Sequence, residues 1–139
     1  MTGHKCIKSY LAGFFDGEGW VGYHIVKRPN RTYFRLAVGI VQTNYEVINI
    51  IHKLYGGHIV KPTRRPNRKQ HWQVNLIGRY AYYFLLDIEK YLIVKKEITN
   101  LCMEAFEFSF SNSYNVLFLP TRKEIQKEYY RKYKKLIRR

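Results

Sequence analysis

Residues 11–19 read Leu11-Ala12-Gly13-Phe14-Phe15-Asp16-Gly17-Glu18-Gly19, an apolar run closed by two acids among glycines. Tyr10, Leu11, Ala12, Phe14 and Phe15 predict a short apolar helix over residues 8–16. The carboxyl end of a helix carries partial negative charge, so an acid there costs roughly 0.3–1 kcal/mol. A sequence shaped by stability alone would place lysine or a neutral residue at 16 and 18. Gly13 and Gly17 stand four apart, on one side of the helix. Small residues at that spacing let a second backbone come close. A helix packed on its own copy about a two-fold axis would bring both sets of carboxylates to one place. Such hard oxygen ligands attract magnesium, which keeps several of its waters. Metal ions beside a phosphodiester activate the attacking water and stabilise the leaving oxygen. The residue types leave a plainer alternative open: solvated acids and glycine caps at an ordinary helix end.

Outward from this stretch the pattern changes period. Over residues 19–28, Val21, Tyr23 and Ile25 fall on one face and Trp20, Gly22, His24 and Arg28 on the other. Strict alternation marks a half-buried strand. Pro29-Asn30-Arg31 reads as a turn. Residues 33–41 alternate again, with Phe34, Leu36, Val38 and Ile40 inward and Tyr33, Arg35, Ala37, Gly39 and Val41 outward. Thr43 and Glu46 suggest a capping box. The helix it opens runs to about Tyr55 with Val47, Ile48, Ile51, Leu54 and Tyr55 inward, and Gly56-Gly57 ends it. Segments 58–61 and 71–76 read as a second strand pair. In the latter, Trp72, Val74 and Leu76 point one way and His71, Gln73 and Asn75 the other. A basic loop, 62–69, lies between them. Helices are expected over 78–90 and 95–108. Pro120 reads as a break, Thr121 to Glu124 as another capping box, and about 121–137 as a basic helix. That helix carries Ile125, Tyr129, Tyr133, Leu136 and Ile137 at helical spacing. The expectation is one α+β domain spanning 1–139, with its core at about 8–108.

Lysine and arginine number 25 against 10 acids, a net charge of +15, in a chain that is 46% hydrophobic. That excess predicts a polyanionic partner, nucleic acid before membrane. With 13 Tyr and 8 Phe the chain is far too aromatic for a disordered basic tail. Basic RNA-binding modules meet the same description, so charge alone selects no enzyme. No stretch is long and apolar enough for a membrane span, and the start shows no secretory signal. Cys6 and Cys102 read as two reduced thiols of an intracellular protein. His4, His24, His52, His58 and His71 show no zinc-ligand spacing with them. Asp87-Ile88-Glu89-Lys90, an acid-and-lysine cluster, reads as surface charge on an amphipathic helix.

The nine residues 11–19 resemble the LAGLIDADG motif of homing endonucleases. Phe14-Phe15 stand in its variable apolar places and Gly17-Glu18 in place of its alanine–aspartate pair. The order of elements after the motif is similar to the family's αββαββα core, over roughly residues 8–108. The resemblance implies a four-stranded antiparallel DNA-binding sheet with extra C-terminal helices. It implies Mg²⁺-dependent cleavage of double-stranded DNA, with cuts across the minor groove that leave short 3′ overhangs. Glu18 stands at the family's metal-binding acid, the backbone carbonyl of Gly17 would be a second ligand, and Asp16 would shape the helix end. Gln42 and Lys95, with Lys96 as the neighbouring candidate, fall on the positions around the water network. A single motif implies a homodimer, with the helix residues Leu11, Ala12, Gly13, Phe14, Asp16 and Gly17 at its end and interface.

In the family the sheet saddles DNA. Here that face would offer Trp20, His24, Arg28, Tyr33, Arg35, His71, Gln73 and Asn75. Arginine and glutamine can bond guanine and adenine edges in the major groove. Arg64, Arg65, Arg68 and Lys69 would extend the footprint through phosphates. Two copies would read a near-palindromic site. Two other roles on this fold stay open at this level: a maturase that binds intron RNA, and a DNA-binding regulator without catalysis. Glu18 favours the nuclease, since neither of the others needs it. An intein-embedded origin is not expected; free-standing and intron-encoded origins look alike.

Overall fold

A computed structural model describes residues 2–61, 70–111 and 119–138, and the side chains of 6–61, 70–109 and 123–138. The elements follow in the order α1 (Thr2–Glu18), β1 (Gly19–Arg28), β2 (Arg31–Gln42), α2 (Tyr45–Tyr55), β3 (His58–Val60), β4 (Trp72–Ile77), α3 (Arg79–Ile88), a 3-10 turn at Glu89–Tyr91, α4 (Lys96–Ser111) and α5 (Leu119–Ile137). The four strands form one antiparallel sheet in the order β1-β2-β4-β3.

The inward rows are those the alternation predicts. Val21 and Tyr23 of β1, Leu36, Val38 and Ile40 of β2, and Val74 and Leu76 of β4 are buried beneath the helices. Leu11, Ala12 and Phe15 of α1 join the same core, with Val47, Ile48 and Ile51 of α2 and Phe84, Leu85 and Ile88 of α3. Burying one such large side chain contributes about 1.5–3 kcal/mol. Leu11 and Phe15 together therefore outweigh the cost of the exposed acid, Glu18, at the end of α1. The core thins toward the β1–β2 hairpin, where Ile25 is exposed.

Several boundaries differ from the expectation, each for a local reason. The first helix begins at Thr2 rather than near residue 8. Asn44, not Thr43, caps α2: its side chain accepts the N–H of Glu46 at 2.9 Å. Thr43 instead bonds the side chain of Gln42. Leu54 turns outward, and Gly56 and Gly57 close α2 at positive φ. Pro120 lies within the first turn of α5 rather than before it, where its missing N–H has no helical partner to lose, and Thr121, the expected cap, is already inside the helix. Asp87 is half-buried rather than free surface charge. It accepts the hydroxyl of Tyr55 at 2.8 Å and pairs with Lys8 at 3.4 Å.

The two sheet edges are handled differently. β3 is only three residues long. β1 lies against α5, where the Tyr133 hydroxyl bonds the backbone of Tyr23 and Tyr130 packs on Phe34. Covered or very short edges deny a foreign strand its template. The helices thus occupy one face of the sheet and the edge of β1. Among the described residues the opposite face stays open, apart from His24, whose ring meets Tyr133 of α5 edge-on at 6.1 Å.

Candidate active site and nucleic-acid interface

α1 delivers its last turn to the open end of the sheet. Phe15 anchors it: the ring is fully buried and meets Phe84 edge-on at 5.6 Å. Gly19 follows because the Phe15 ring lies where its Cβ would be. Gly13 and Gly17 have the opposite environment. Both are exposed, and a Cβ on either would meet nothing within 4 Å. Leu11 and Ala12 correct the expected interface, because both are buried in this chain's own core. The helix face left open runs through Tyr10, Gly13 and Gly17, beside half-buried Phe14.

Glu18 ends α1 and is exposed. Asp16 is held quite differently. Its carboxylate accepts three backbone N–H groups, from Ile93 at 2.8 Å, Val94 at 3.2 Å and Lys95 at 3.0 Å. Burial pushes its pKa up, but these three bonds and the Lys95 charge outweigh that and hold it below the ordinary 3.8. Lys95 completes the contact by donating from Nζ to the Asp16 carbonyl at 2.5 Å, with Nζ 6.0 Å from the Phe15 ring centroid. A cation at a helix carboxyl end meets the negative pole of the dipole. Of the two candidate lysines, Lys95 is thus at the end of α1, while Lys96 opens α4 and is exposed.

Gln42 arrives at the same end of the sheet, since Gly19 pairs with Ile40 and β2 ends two residues later. Its Oε1 accepts the backbone N–H and hydroxyl of Thr43 at 2.8 and 3.0 Å. The oxygen therefore braces the turn into α2.

The register aligns the open face. Trp20 pairs with Gly39, Gly39 with Asn75, and Asn75 with His58, in one row. His24 pairs with Arg35, and Gln73 donates to Asn75 at 2.6 Å. His71 is exposed just before β4. Arg28 pairs with Arg31 at the hairpin, where the Arg31 guanidinium lies 4.8 Å from the Tyr33 ring. His58 and Arg31 were missing from the sequence-based set. Their place depends on strand register, which alternation within one strand does not reveal. Arg64, Arg65, Arg68 and Lys69 lie outside the described residues.

This face is not a bare row of polar tips. The Trp20 indole lies over Gly39 and the His24 ring over Gly22. Burial, then the charges of Arg35 and Lys134, hold the His24 imidazole below its ordinary 6.5, so it is neutral at neutral pH. Arg35 Nε is enclosed without a hydrogen-bond partner among the described residues.

No protein-family model matches the chain, and no curated protein matches its sequence. Solved structures do match it. The homing endonuclease I-CvuI, solved with its target in the presence of calcium, superimposes with a TM-score of 0.67 at 19% identity, over 91% of this chain and 81% of that one. The LAGLIDADG homing endonuclease I-GzeII, solved with its DNA target, superimposes with a TM-score of 0.71 at 14% identity, over 88% of this chain and 43% of that one. The fold is that of the LAGLIDADG homing endonucleases. An archaeal intron-encoded homing endonuclease of the same fold, I-Vdi141I, solved with DNA, gives a TM-score of 0.67 at 19% identity, over 90% of this chain and 82% of that one. In LAGLIDADG terms, residues 11–19 form the last turns of α1 and the first residue of β1, and the open face is that of the four-stranded sheet.

Proposed function

We propose that this chain is a site-specific DNA endonuclease that acts as a homodimer on a long, near-palindromic duplex. The observation that carries the reading is the convergence of Glu18 and Lys95 on the end of α1, bordering an open sheet face rich in basic and amide side chains. The structural neighbours solved with DNA support a DNA partner. The net charge of +15 supports one too. Its place of action is then at DNA inside the cell.

The donors at the helix end fit a hard divalent cation, magnesium. Glu18 is an exposed carboxylate, and the Gly17 carbonyl sits among the last carbonyls of α1, which lack helical partners. Among the described residues no three His, Cys, Asp or Glu side chains gather into a metal site. In this reading one motif per chain offers half a site, and a second copy meeting the Gly13–Gly17 face would bring the other half. When bound, the metal supplies an activated water and charge stabilisation at the leaving oxygen. Lys95 adds a fixed positive charge near the developing one, and Gln42 fixes the turn beside it. Arg35, Gln73, Asn75, His24 and Tyr33 face base edges, while Arg28 and Arg31 at the hairpin face phosphates.

The test is to incubate the protein and Glu18→Gln with a randomised duplex library, in Mg²⁺ and in EDTA. Cutting at one near-palindromic site is expected, abolished by EDTA. In Glu18→Gln it should fall on the order of 10³-fold, the scale of several kcal/mol of metal-borne stabilisation, while binding persists. Tight duplex binding without cutting under any divalent metal would replace this reading with a regulator. Weak duplex binding with tight binding to structured RNA would replace it with a maturase.

A further inference from the structure

We infer that Asp16 is the positioning residue for Lys95, a role that rests on the nuclease reading above. The first acid of the motif does not face the metal position. It faces the chain 77 residues later, where its carboxylate collects the N–H groups of three consecutive residues, 93–95. These residues lie between the 3-10 turn and α4, outside both. Their N–H groups are therefore available, and a carboxylate beside the start of α4 also meets the positive pole of that helix. Lys95 closes the ring, because the residue whose N–H is held by the Asp16 side chain returns its amine to the Asp16 carbonyl. One residue thus grips both ends of Lys95. A free lysine side chain would have four torsions to order before it met a phosphate. Here that ordering precedes DNA.

The same grip explains the exposure beside it. Ile93 and Val94 are 85% and 76% exposed, the most exposed large apolar residues among those described. With their N–H groups tied inward to Asp16, their side chains point outward beside the end of α1. They would be covered by the second copy that meets the Gly13–Gly17 face.

Asparagine is the discriminating substitution, since its amide keeps the shape but turns one of two acceptor oxygens into a donor facing backbone N–H groups. In single-turnover cleavage, Asp16→Asn should lower the rate on the order of 100-fold, the scale of a small misplacement of a reacting group. Binding to the same duplex in Ca²⁺ should be unchanged. Asp16→Asn added to Lys95→Met should cost nothing further, because Asp16 acts through Lys95. Multiplied losses in the double variant would overturn the inference. Amide hydrogen exchange on the unaltered protein decides the grip independently of activity and of how any variant folds. The N–H groups of residues 93–95 should be protected although they lie outside any helix or strand; free exchange there overturns it. If the unaltered protein cuts no DNA, the nuclease reading fails by itself, and exchange still decides whether the grip exists.

Discussion

Gly13 and Gly19 are the same residue kept for opposite reasons. At Gly13 a Cβ meets open space within the chain, and glycine inside a helix costs roughly 0.5–1 kcal/mol against alanine. Gly13→Ala should therefore raise the melting temperature of the isolated chain. Gly13→Leu should leave the chain folded but monomeric by sedimentation, and inactive. A dimeric, active leucine variant would remove this face from the interface. At Gly19 a Cβ collides with the Phe15 ring, which is fully buried against Phe84 and has nowhere to go. Gly19→Ala should cost about 1–3 kcal/mol in denaturant unfolding, as overpacking does. A loss within error would mean that Phe15 repacks freely.

At the scale of elements, the contact between β1 and α5 sets a pH dependence. His24 meets the Tyr133 ring edge-on at 6.1 Å and feels the charges of Arg35 and Lys134. Its folded pKa lies below the ordinary 6.5, so the unfolded chain takes up its proton first as pH falls. The stability that depends on neutral His24 is complete above about pH 6.5 and is lost as pH falls from there through the folded pKa. Melting temperature should drop over that window, and His24→Gln should flatten the drop. An unchanged slope in His24→Gln would assign the acid sensitivity to other groups.

For the whole molecule, the basic excess and the open sheet face predict strongly salt-dependent binding. Each phosphate neutralised releases counterions, so duplex affinity should fall roughly a thousandfold or more between ~50 and ~200 mM salt. A shallow dependence would mean that the charge serves another partner. No described helix is long and apolar enough to cross a membrane. Two free thiols, Cys6 exposed and Cys102 buried, leave the fold without a covalent staple among its described residues. The buried apolar side chains form one cluster beneath the sheet.

The sequence by itself determined the order of the elements and the inward rows of β1, β2 and β4, Ile25 excepted, because these are periodicities of two and 3.6 residues read from near neighbours. It also marked Glu18, since an acid at a helix carboxyl end opposes the dipole. Local chemistry misled where two neighbours competed for one role, as Thr43 and Asn44 did for the cap of α2. Three features needed the tertiary structure. Leu11 and Ala12 could have faced a partner or their own sheet, and only packing sends them into the core. Trp20 over Gly39 and His58 opposite Asn75 depend on strand register. The resemblance placed Asp16 at the helix end and Lys95 beside the water network, but nothing in the sequence showed that the two touch. Only folding brings the three N–H groups of residues 93–95 onto one carboxylate, because hydrogen bonds are set by position in space and carry no period along the chain.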